Sequence, residues 1–516
     1  MAANVAPDGG GVVIEPPPPP PPPPDDAGQP DSGTPPDAGE PLPHFGAGLW
    51  PIANVEYGFK DGILESPVVA VSSDEAQNLW VATHAALYLL RPGETKFHRY
   101  DTGNSNLHLQ GNPVEYCADR FFADGDKSCR FGEATSVGIT TIVGGRANEV
   151  FVGYDGAHDW NDPHDGDWFS VNRHSGKIDR VQVKDDGTLD VVRFDLVSGN
   201  SPAFWHNRII YRLVYDHFIH RHELYVGTEH GIDKISPDKW FEPRKDWPFV
   251  DNLHWMSDHL HPISCFHEQC TGDEGKDDQR MGEWRGLALS PEGDLWVGGK
   301  WSAGKIFYTE DNATMKADGT PDPQGNTGWF QRGGKAFTDP VTGRGYAFGF
   351  DFCGTSGTRN VWQTGTGWVP SSCPAQSGTP PVFWPPNPGD PVSISAVTVA
   401  PDGTAWWASG PFGGDPAYGI ASYDGKTFSY FNPAQTGMVE ENVADMVALP
   451  DGRIVLAAPG SGLTFWNPKT GKHTSMRAGQ GIPDDHVLHL DLDTMLNPPA
   501  LHVATMGGAA VIRVFP

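Results

Sequence analysis

The stretch Leu224-Tyr-Val-Gly-Thr-Glu229 decides the fold, because similar six-residue stretches recur along the chain. Each copy begins with an apolar residue, continues with aromatic or apolar residues, and has a small residue fourth. The copies begin at Leu79, Val150, Leu224, Leu295, Ala405, Ile454 and Leu501. They lie 71, 74, 71, 110, 49 and 47 residues apart. The last two spacings fit a bare repeat, and the longer ones indicate insertions.

Each copy reads as the second strand of a four-stranded unit. An apolar run precedes it, as at Ile209–Val214, Val443–Leu449 and Val487–Leu492. Turns such as Pro-Asp-Gly at 401–403 supply the positive φ that a tight hairpin needs. A third strand follows, as at Gly462–Trp466, and in some repeats a fourth. Four antiparallel strands in seven repeats predict an all-β fold, a seven-bladed β-propeller.

The two ends of the predicted propeller complement each other. After the last copy, Ala509–Phe515 supplies only a third strand. Leu49–Tyr57, just before the first repeat, reads as a further strand. We therefore expect this N-terminal strand to complete the seventh blade, which would close the ring and remove an exposed strand edge.

The first 44 residues differ in composition from the rest. They contain the unbroken run Pro16–Pro24 and almost no large apolar residues, so they cannot form a core. Nine prolines form a polyproline II rod of roughly 28 Å at about 3.1 Å per residue. The sequence thus predicts a disordered tether at 1–44 and a propeller with insertions at 45–516.

The charge and hydropathy patterns exclude several classes of partner. The net charge is −29, which argues against binding to nucleic acid or to anionic lipid. No run of 18 apolar residues occurs, so no transmembrane segment is predicted. The first ten residues lack the charged and apolar regions of a signal peptide. We expect a monomer whose partner is a protein or a glycan.

The six cysteines indicate an oxidising compartment. They form three close pairs: Cys117 with Cys129, Cys265 with Cys270, and Cys353 with Cys373. Pairing nearest neighbours would close three short loops, although six cysteines allow 15 connectivities. The alternative is six reduced structural thiols, and zinc-ligand spacing is absent. Disulfides without a signal peptide fit a mature or recombinant form.

The repeat resembles that of two-component-regulator-type propellers, in which a core of the form Asp-Gly-x-Leu-Trp-Val-Gly-Thr recurs. Leu79–Val81, Leu224–Gly231 and Leu295–Gly298 match this core best, and the resemblance covers roughly residues 45 to 516. It implies a propeller but no particular activity, because the family includes sensor ectodomains, binding proteins and lyase-like propellers. The tether resembles the stalks of bacterial, particularly myxobacterial, surface lipoproteins. That likeness implies export to the surface, the periplasm or the medium, with any lipid anchor in a missing N-terminal segment.

A ligand site is predicted where loops from many blades converge. With the strands of a blade called A to D, the D–A and B–C loops share one face, and propeller ligands usually bind there. The sixth residue of each copy points to that face, and it is ionisable only in the first four repeats; ordinary loop chemistry is the alternative. The candidate ligand-binding residues are His84, Asp155, Glu229, His230, Lys300, Trp301, Trp160, Trp168 and Trp255.

Two loops have the composition of metal sites. Spaced aspartates after the second copy could wrap Ca²⁺ through oxygen ligands, and histidines after the third could hold a first-row transition metal. Solvated polar loops are the alternative. The candidate ligands are Asp159, Asp162 and Asp165 in the first loop, and His254, His259 and His261 in the second. A further cluster, Asp216–His222, falls in an A–B turn on the opposite face, so it is not assigned to this site.

Three functions remain open at this point. The first is an exported binding protein of the cell envelope or medium, whose tryptophans stack on sugar rings or contact a protein. The second is a metal-assisted lyase or hydrolase with its site at the channel mouth. The third is a structural component of an envelope assembly. Whether the chain is an enzyme is left undecided, because no hydrolase, phosphate-loop or dinucleotide motif occurs.

Overall fold

The computed structural model describes most of the repeats but only part of their loops. The described residues are 55–117, 129–133, 136–156, 177–195, 209–218, 222–228, 232–235, 258–260, 283–299, 302–306, 358–363, 367–372, 393–410, 417, 419–425 and 428–514. They all belong to the compact unit Pro43–Pro516. The predicted tether at 1–44 lies outside them.

The described chain is almost entirely β-structure. It begins with β1 (Val55–Tyr57) and a 3-10 turn at Phe59–Asp61. Sheet 1 contains β2 (Val68–Ser73), β3 (Leu79–Thr83), β4 (Leu87–Leu90) and β5 (His98–Tyr100). A separate hairpin, β6 (Pro113–Cys117) and β7 (Cys129–Glu133), follows. Sheet 2 contains β8 (Ser136–Gly144), β9 (Glu149–Gly156), β10 (Lys177–Val183) and β11 (Leu189–Asp195). Sheet 3 contains β12 (Ile210–Asp216), β13 (Glu223–Thr228), β14 (Ile232–Ile235) and β15 (Asp258–Leu260).

The second half of the described chain continues the same antiparallel pattern. Sheet 4 contains β16 (Gly286–Leu289), β17 (Leu295–Gly299) and β18 (Ser302–Ile306), and a hairpin of β19 (Thr358–Gln363) and β20 (Gly367–Ser372) follows. Sheet 5 contains β21 (Ile394–Val399), β22 (Ala405–Ser409), β23 (Ile420–Tyr423) and β24 (Phe428–Phe431), then the short helix α1 (Pro433–Thr436). Sheet 6 contains β25 (Asp445–Ala448), β26 (Ile454–Ala458), β27 (Gly462–Trp466) and β28 (His473–Met476). Sheet 7 contains β29 (Val487–Asp493), β30 (Ala500–Thr505) and β31 (Gly508–Arg513), and β1 pairs with β31.

The first strands of the sheets lie side by side. These inner strands are β2, β8, β12, β16, β21, β25 and β29. Each contacts the inner strand of the next sheet, and β29 also contacts β2. Antiparallel sheets that meet along their first strands have the arrangement of a β-propeller.

The apolar core is divided into layers between neighbouring sheets. One cluster combines Leu463 of sheet 6 with Leu490 of sheet 7. Another combines Ala504 of sheet 7 with Val68 and Val81 of sheet 1, so the last sheet packs on the first. Tyr57 of β1 extends this layer, with its ring 5.3 Å from that of Phe97.

The small fourth residue of each copy has a steric cause. A Cβ atom added at Gly227 would overlap the carbonyl oxygen of Trp284 in the next repeat. One added at Gly298 would overlap the Ile394 side chain of sheet 5. The small residue therefore lets the next inner strand approach closely.

The structure adds two details to the cysteine and histidine predictions. Cys117 and Cys129 are directly opposite each other in the β6–β7 register. The other four cysteines lie outside the described residues, so all three disulfides stay predictions. Residues 258–260 form a strand rather than the loop expected there. Among the described helices, none has both the length and the apolar character needed to cross a bilayer.

Candidate functional site

A cavity of about 340 Å³ lies among the inner strands. Each inner strand contributes one residue to the cavity wall at an equivalent position. In the strand pairing, this residue is opposite the second residue of the six-residue stretch in the same sheet. The residues at that position are Ser72, Val143, Val214, Ala288, Thr398, Val447 and Asp491. At this position the wall is apolar at Val143, Val214, Ala288 and Val447, with a polar sector at Ser72 and Asp491 and a single threonine from β21.

The cavity lies toward the ends of the inner strands from which the A–B turns leave. Its wall includes the turn residues Phe218, after β12, and Met495, after β29. The predicted site was on the opposite face, where the D–A and B–C loops emerge. The described cavity therefore lies at the other end of the inner strands from the site predicted from the sequence.

Three polar residues share one register level of the inner strands, and two of them, Arg212 and His489, line the cavity. Arg212, Asp445 and His489 are all opposite the small fourth residue of their copies, which are Gly227, Ala457 and Ala504. The register shifts just before Arg212 and before His489. Such β-bulges change the direction of the side chain that follows them. As a result, residues from three sheets lie at the same height along the inner strands.

Arg212 and Asp445 form an ion pair between sheets 3 and 6. Nη1 of Arg212 donates to Oδ2 of Asp445 over 2.7 Å, and the Asp445 side chain is only 3% exposed. The same carboxylate accepts the backbone N–H groups of Met446 and Leu490, each at 2.8 Å. Sheets 3 and 6 are not consecutive in the chain, so the pair links two inner strands that are remote in the sequence.

His489 is a neutral, buried imidazole beside this pair. The residue is 8% exposed, and its Nδ1 has no hydrogen-bond partner among the described residues. Burial lowers the pKa of His489 from 6.5 to about 4, and the positive charge of Arg212 adds to that effect. At neutral pH the ring therefore offers one donor and one acceptor nitrogen.

Asp491 is the acidic group of the polar sector. Its Oδ2 accepts the hydroxyl of Ser72 at 3.0 Å and lies 3.3 Å from Nδ1 of His502. Burial opposes ionisation, but the contacts with His502 and Ser72 hold the pKa of Asp491 below its ordinary value. Its side chain is still 31% exposed, so an ionised carboxylate is accessible within the cavity.

The rim of the cavity combines acidic and aromatic groups. Asp493 accepts the Ser73 hydroxyl at 2.8 Å, and Nδ1 of His217 lies 3.2 Å from Glu75. Phe218, beside His217, is 63% exposed. Asp216, His217 and Phe218 line the cavity, although their turn was not assigned to the predicted site.

The described part of the predicted loop site is separate from this cavity. His84 is exposed, with Nδ1 2.9 Å from the carbonyl oxygen of Ile139, and Asp155 is half-buried in β9. His259 lies in β15, the strand of sheet 3 farthest from inner strand β12. The remaining predicted residues lie outside the described ranges: Glu229, His230, Lys300, Trp301, Trp160, Trp168, Trp255, His254, His261, Asp159, Asp162 and Asp165. Their roles stay predictions.

Within the described ranges, no group of three or more His, Cys, Asp or Glu side chains could hold a metal ion. The aspartate loop lies outside those ranges, as do His254 and His261 of the histidine loop. The calcium and transition-metal predictions are therefore neither supported nor contradicted.

Sequence reasoning missed Arg212, Asp445, His489 and Asp491. All four lie inside apolar runs that predict only strands. The predicted site was placed in the loops, because charged residues are dense there. The sequence nevertheless contains a signal that could have identified these residues. A charged residue or histidine in the first strand, opposite the second or fourth residue of a copy, marks a polar group directed at the inner strands.

The buried His489 predicts a pH dependence of stability. Its folded-state pKa is about 4 against 6.5 for the ordinary residue. The unfolded chain therefore binds more protons between these values, and stability falls as the pH drops from 6.5 towards 4. We expect a contribution of about 3 kcal/mol over that range, which His489→Asn should remove.

Urea unfolding between pH 4.5 and 7.5 measures this effect as the difference between the wild type and His489→Asn. Arg212, Asp445, Asp491 and His502 face the imidazole and are present in both proteins, so their contributions largely cancel. Equal pH slopes for the two proteins would contradict the assignment.

The comparisons with known proteins add little beyond this geometry. No family model matches the chain, and no curated protein matches it. A solved structure described as YCF48 bound to D1 peptide is 9% identical, with a TM-score of 0.39; the match covers 90% of this chain and 97% of that one. The extracellular domain of a one-component system of B. thetaiotaomicron is 13% identical, with a TM-score of 0.26, and the match covers 86% of this chain and 46% of that one. Likenesses this weak carry no argument, so the propeller class rests on the strand pairing and on the inner-strand contacts.

Proposed function

We propose that this chain is an exported seven-bladed β-propeller that binds a protein or glycan through the cavity among its inner strands. The single observation that carries the proposal is this cavity, in which a buried histidine lacks a partner and a carboxylate remains accessible. In this proposal the ligand binds at the ends of the inner strands from which the A–B turns leave.

The seven-bladed, closed ring is supported by two features of the described residues. The inner strands contact one another in chain order, and the last contacts the first. The pairing of β1 with β31 gives sheet 7 a fourth strand from the other end of the chain. Closure by this route leaves no unpaired edge at β31.

A binding role is supported by the composition of the cavity. Binding cavities are commonly 300–1,000 Å³, mostly apolar, with a few polar groups that orient the ligand. Here Val143, Val214 and Val447 form apolar walls, and Asp491 and His489 are the polar groups. Among the described residues with a buried polar atom that lacks a partner, His489 is the one that lines the cavity, and this position favours a role in contacting a ligand.

Export is supported by the sequence alone. The predicted disulfides of the three close cysteine pairs suit an oxidising compartment, and the proline-rich segment suits a spacer that holds a domain away from a surface. Both features favour a protein of the cell surface, the periplasm or the medium.

Filling the cavity tests this proposal. Ala288 lies on the cavity wall, so Ala288→Phe should occupy the space that the ligand needs. Peptide and glycan arrays probed with the labelled full chain should give signals that fall about tenfold or more with this variant. Val439→Phe is the matched control, because Val439 is already 71% exposed and lies outside the cavity wall.

Two results would overturn the proposal. One is array binding by Ala288→Phe equal to that of the wild type, provided that both proteins show the same melting temperature. The other is a uniform failure of the wild type to bind on both arrays. A second variant, Val214→Phe, covers the case in which Ala288→Phe does not fold.

A further inference from the structure

We infer that the cavity receives a cationic group on a flexible stem, namely the side chain of a lysine or arginine of a partner polypeptide. This inference rests on the proposed function and specifies its ligand. It is carried by the charges around the cavity, by the apolar wall and by the unpartnered imidazole of His489.

The charges around the cavity are predominantly negative. Among the described lining residues, Asp216, Asp491 and Asp493 are carboxylates, and Arg212 is the single Lys or Arg. Arg212 is paired with Asp445, which offsets part of its positive charge, although Arg212 still acts on His489 more strongly than Asp445 does. An entering cation therefore meets an excess of negative charge, and the net charge of −29 on the whole chain strengthens its attraction.

The shape of the cavity suits a long side chain with a charged tip. Val143, Val214 and Ala288 line the wall and can pack against methylene groups, which lysine and arginine bury while their charged ends contact polar groups. Phe218 at the rim is 63% exposed and can contact a cation through its ring face. A neutral sugar gains little from the apolar wall, whereas an alkyl stem gains from it directly.

The imidazole of His489 is independent evidence for a ligand. It lines the cavity, it is 8% exposed, and its Nδ1 makes no hydrogen bond with any described residue. A neutral imidazole can accept an N–H from an ammonium or guanidinium group. The accessible acceptor for such a group is the carboxylate of Asp491, two residues further along β29.

The test uses short peptides and the full chain. The first peptide is an N-acetylated, C-amidated pentapeptide with one lysine between pairs of glycines. Matched peptides carry arginine, Nε-acetyl-lysine or glutamate at that position, and 1,5-diaminopentane represents a free amine. Saturation-transfer NMR and calorimetry report binding to the wild type, to Asp491→Asn and to Asp190→Asn.

We expect the lysine and arginine peptides to bind and the acetyl-lysine and glutamate peptides to bind about tenfold more weakly or not at all. Asp491→Asn should weaken the lysine peptide about tenfold. Asp190→Asn should have no effect, because Asp190 is 63% exposed on β11, the strand of sheet 2 farthest from the inner strands. If 1,5-diaminopentane binds more strongly than the lysine and arginine peptides, the inference that the cationic group belongs to a polypeptide is wrong.

Failure of the inference can be distinguished from failure of the proposed function. If no cationic peptide binds while Ala288→Phe abolishes binding of another array ligand, the cavity is a binding site but its ligand is not a cation. If cationic peptides bind equally to the wild type and to Asp491→Asn, the inference is wrong. If Ala288→Phe leaves every interaction intact, the cavity itself is not the site.

Discussion

Replacing Asp445 with alanine is expected to lower the free energy of unfolding by about 3–5 kcal/mol. The substitution leaves the guanidinium of Arg212, which is 17% exposed, without its partner. It also leaves the backbone N–H groups of Met446 and Leu490 without their acceptor. An uncompensated charge and two unsatisfied donors at one buried site account for the large effect.

Arg212→Met should have a smaller effect, about 1–3 kcal/mol, because the two backbone N–H groups still stabilise the carboxylate of Asp445. Urea unfolding of both single variants and of the double variant measures the coupling between the two side chains. The control, Asp190→Asn, removes an exposed carboxylate 3.8 Å from Lys184 and should change stability by less than about 0.5 kcal/mol. Equal effects of all the single variants would show that the ion pair is not buried.

A chain that begins at Gly58 is expected to be about 4 kcal/mol less stable and to self-associate. This truncation removes β1, whose residues Val55 and Tyr57 pair with Val511 and Ala509 of β31. It also removes the contact of Tyr57 with Phe97, the residue just before β5 of sheet 1. The backbone groups of β31 then form an open edge, which can pair with another copy of the chain.

The matched control begins at Asn54, so that it lacks the predicted tether but keeps β1. Thermal unfolding, together with light scattering at several protein concentrations, separates the two consequences. The control should melt as the full chain does and remain unassociated. If both truncated chains behave alike, β1 does not stabilise sheet 7.

The strand pattern of the fold could be predicted because it depends on neighbours in the sequence. The copies at Leu79, Leu224 and Leu295 correspond to β3, β13 and β17. Turn residues and alternating apolar positions are local signals, and a repeat multiplies them. The fourth strand of sheet 3 was missed, because β15 has only three residues and follows an insertion with no strand-like periodicity.

The candidate site was harder to predict, because its residues are remote from one another in the sequence. Arg212 and Asp445 are 233 residues apart, and Ser72 and Asp491 are 419 apart. Each lies alone within an apolar run, so no local cluster marks it. The dense histidines and aspartates of the loops formed the stronger local signal and directed the prediction to the other face.

The sequence by itself determined the repeating four-stranded units and the small residue in each copy, because a glycine or alanine there is the only choice that lets the next inner strand approach. It also determined the acidic character of the chain. Only the tertiary structure decided which polar residues meet. Contacts between successive inner strands, and the bulges before Arg212 and His489, bring side chains from distant repeats to one level. The physical reason is that a side chain's direction follows from strand register and bulge position, and its neighbours follow from how the sheets pack around the inner strands.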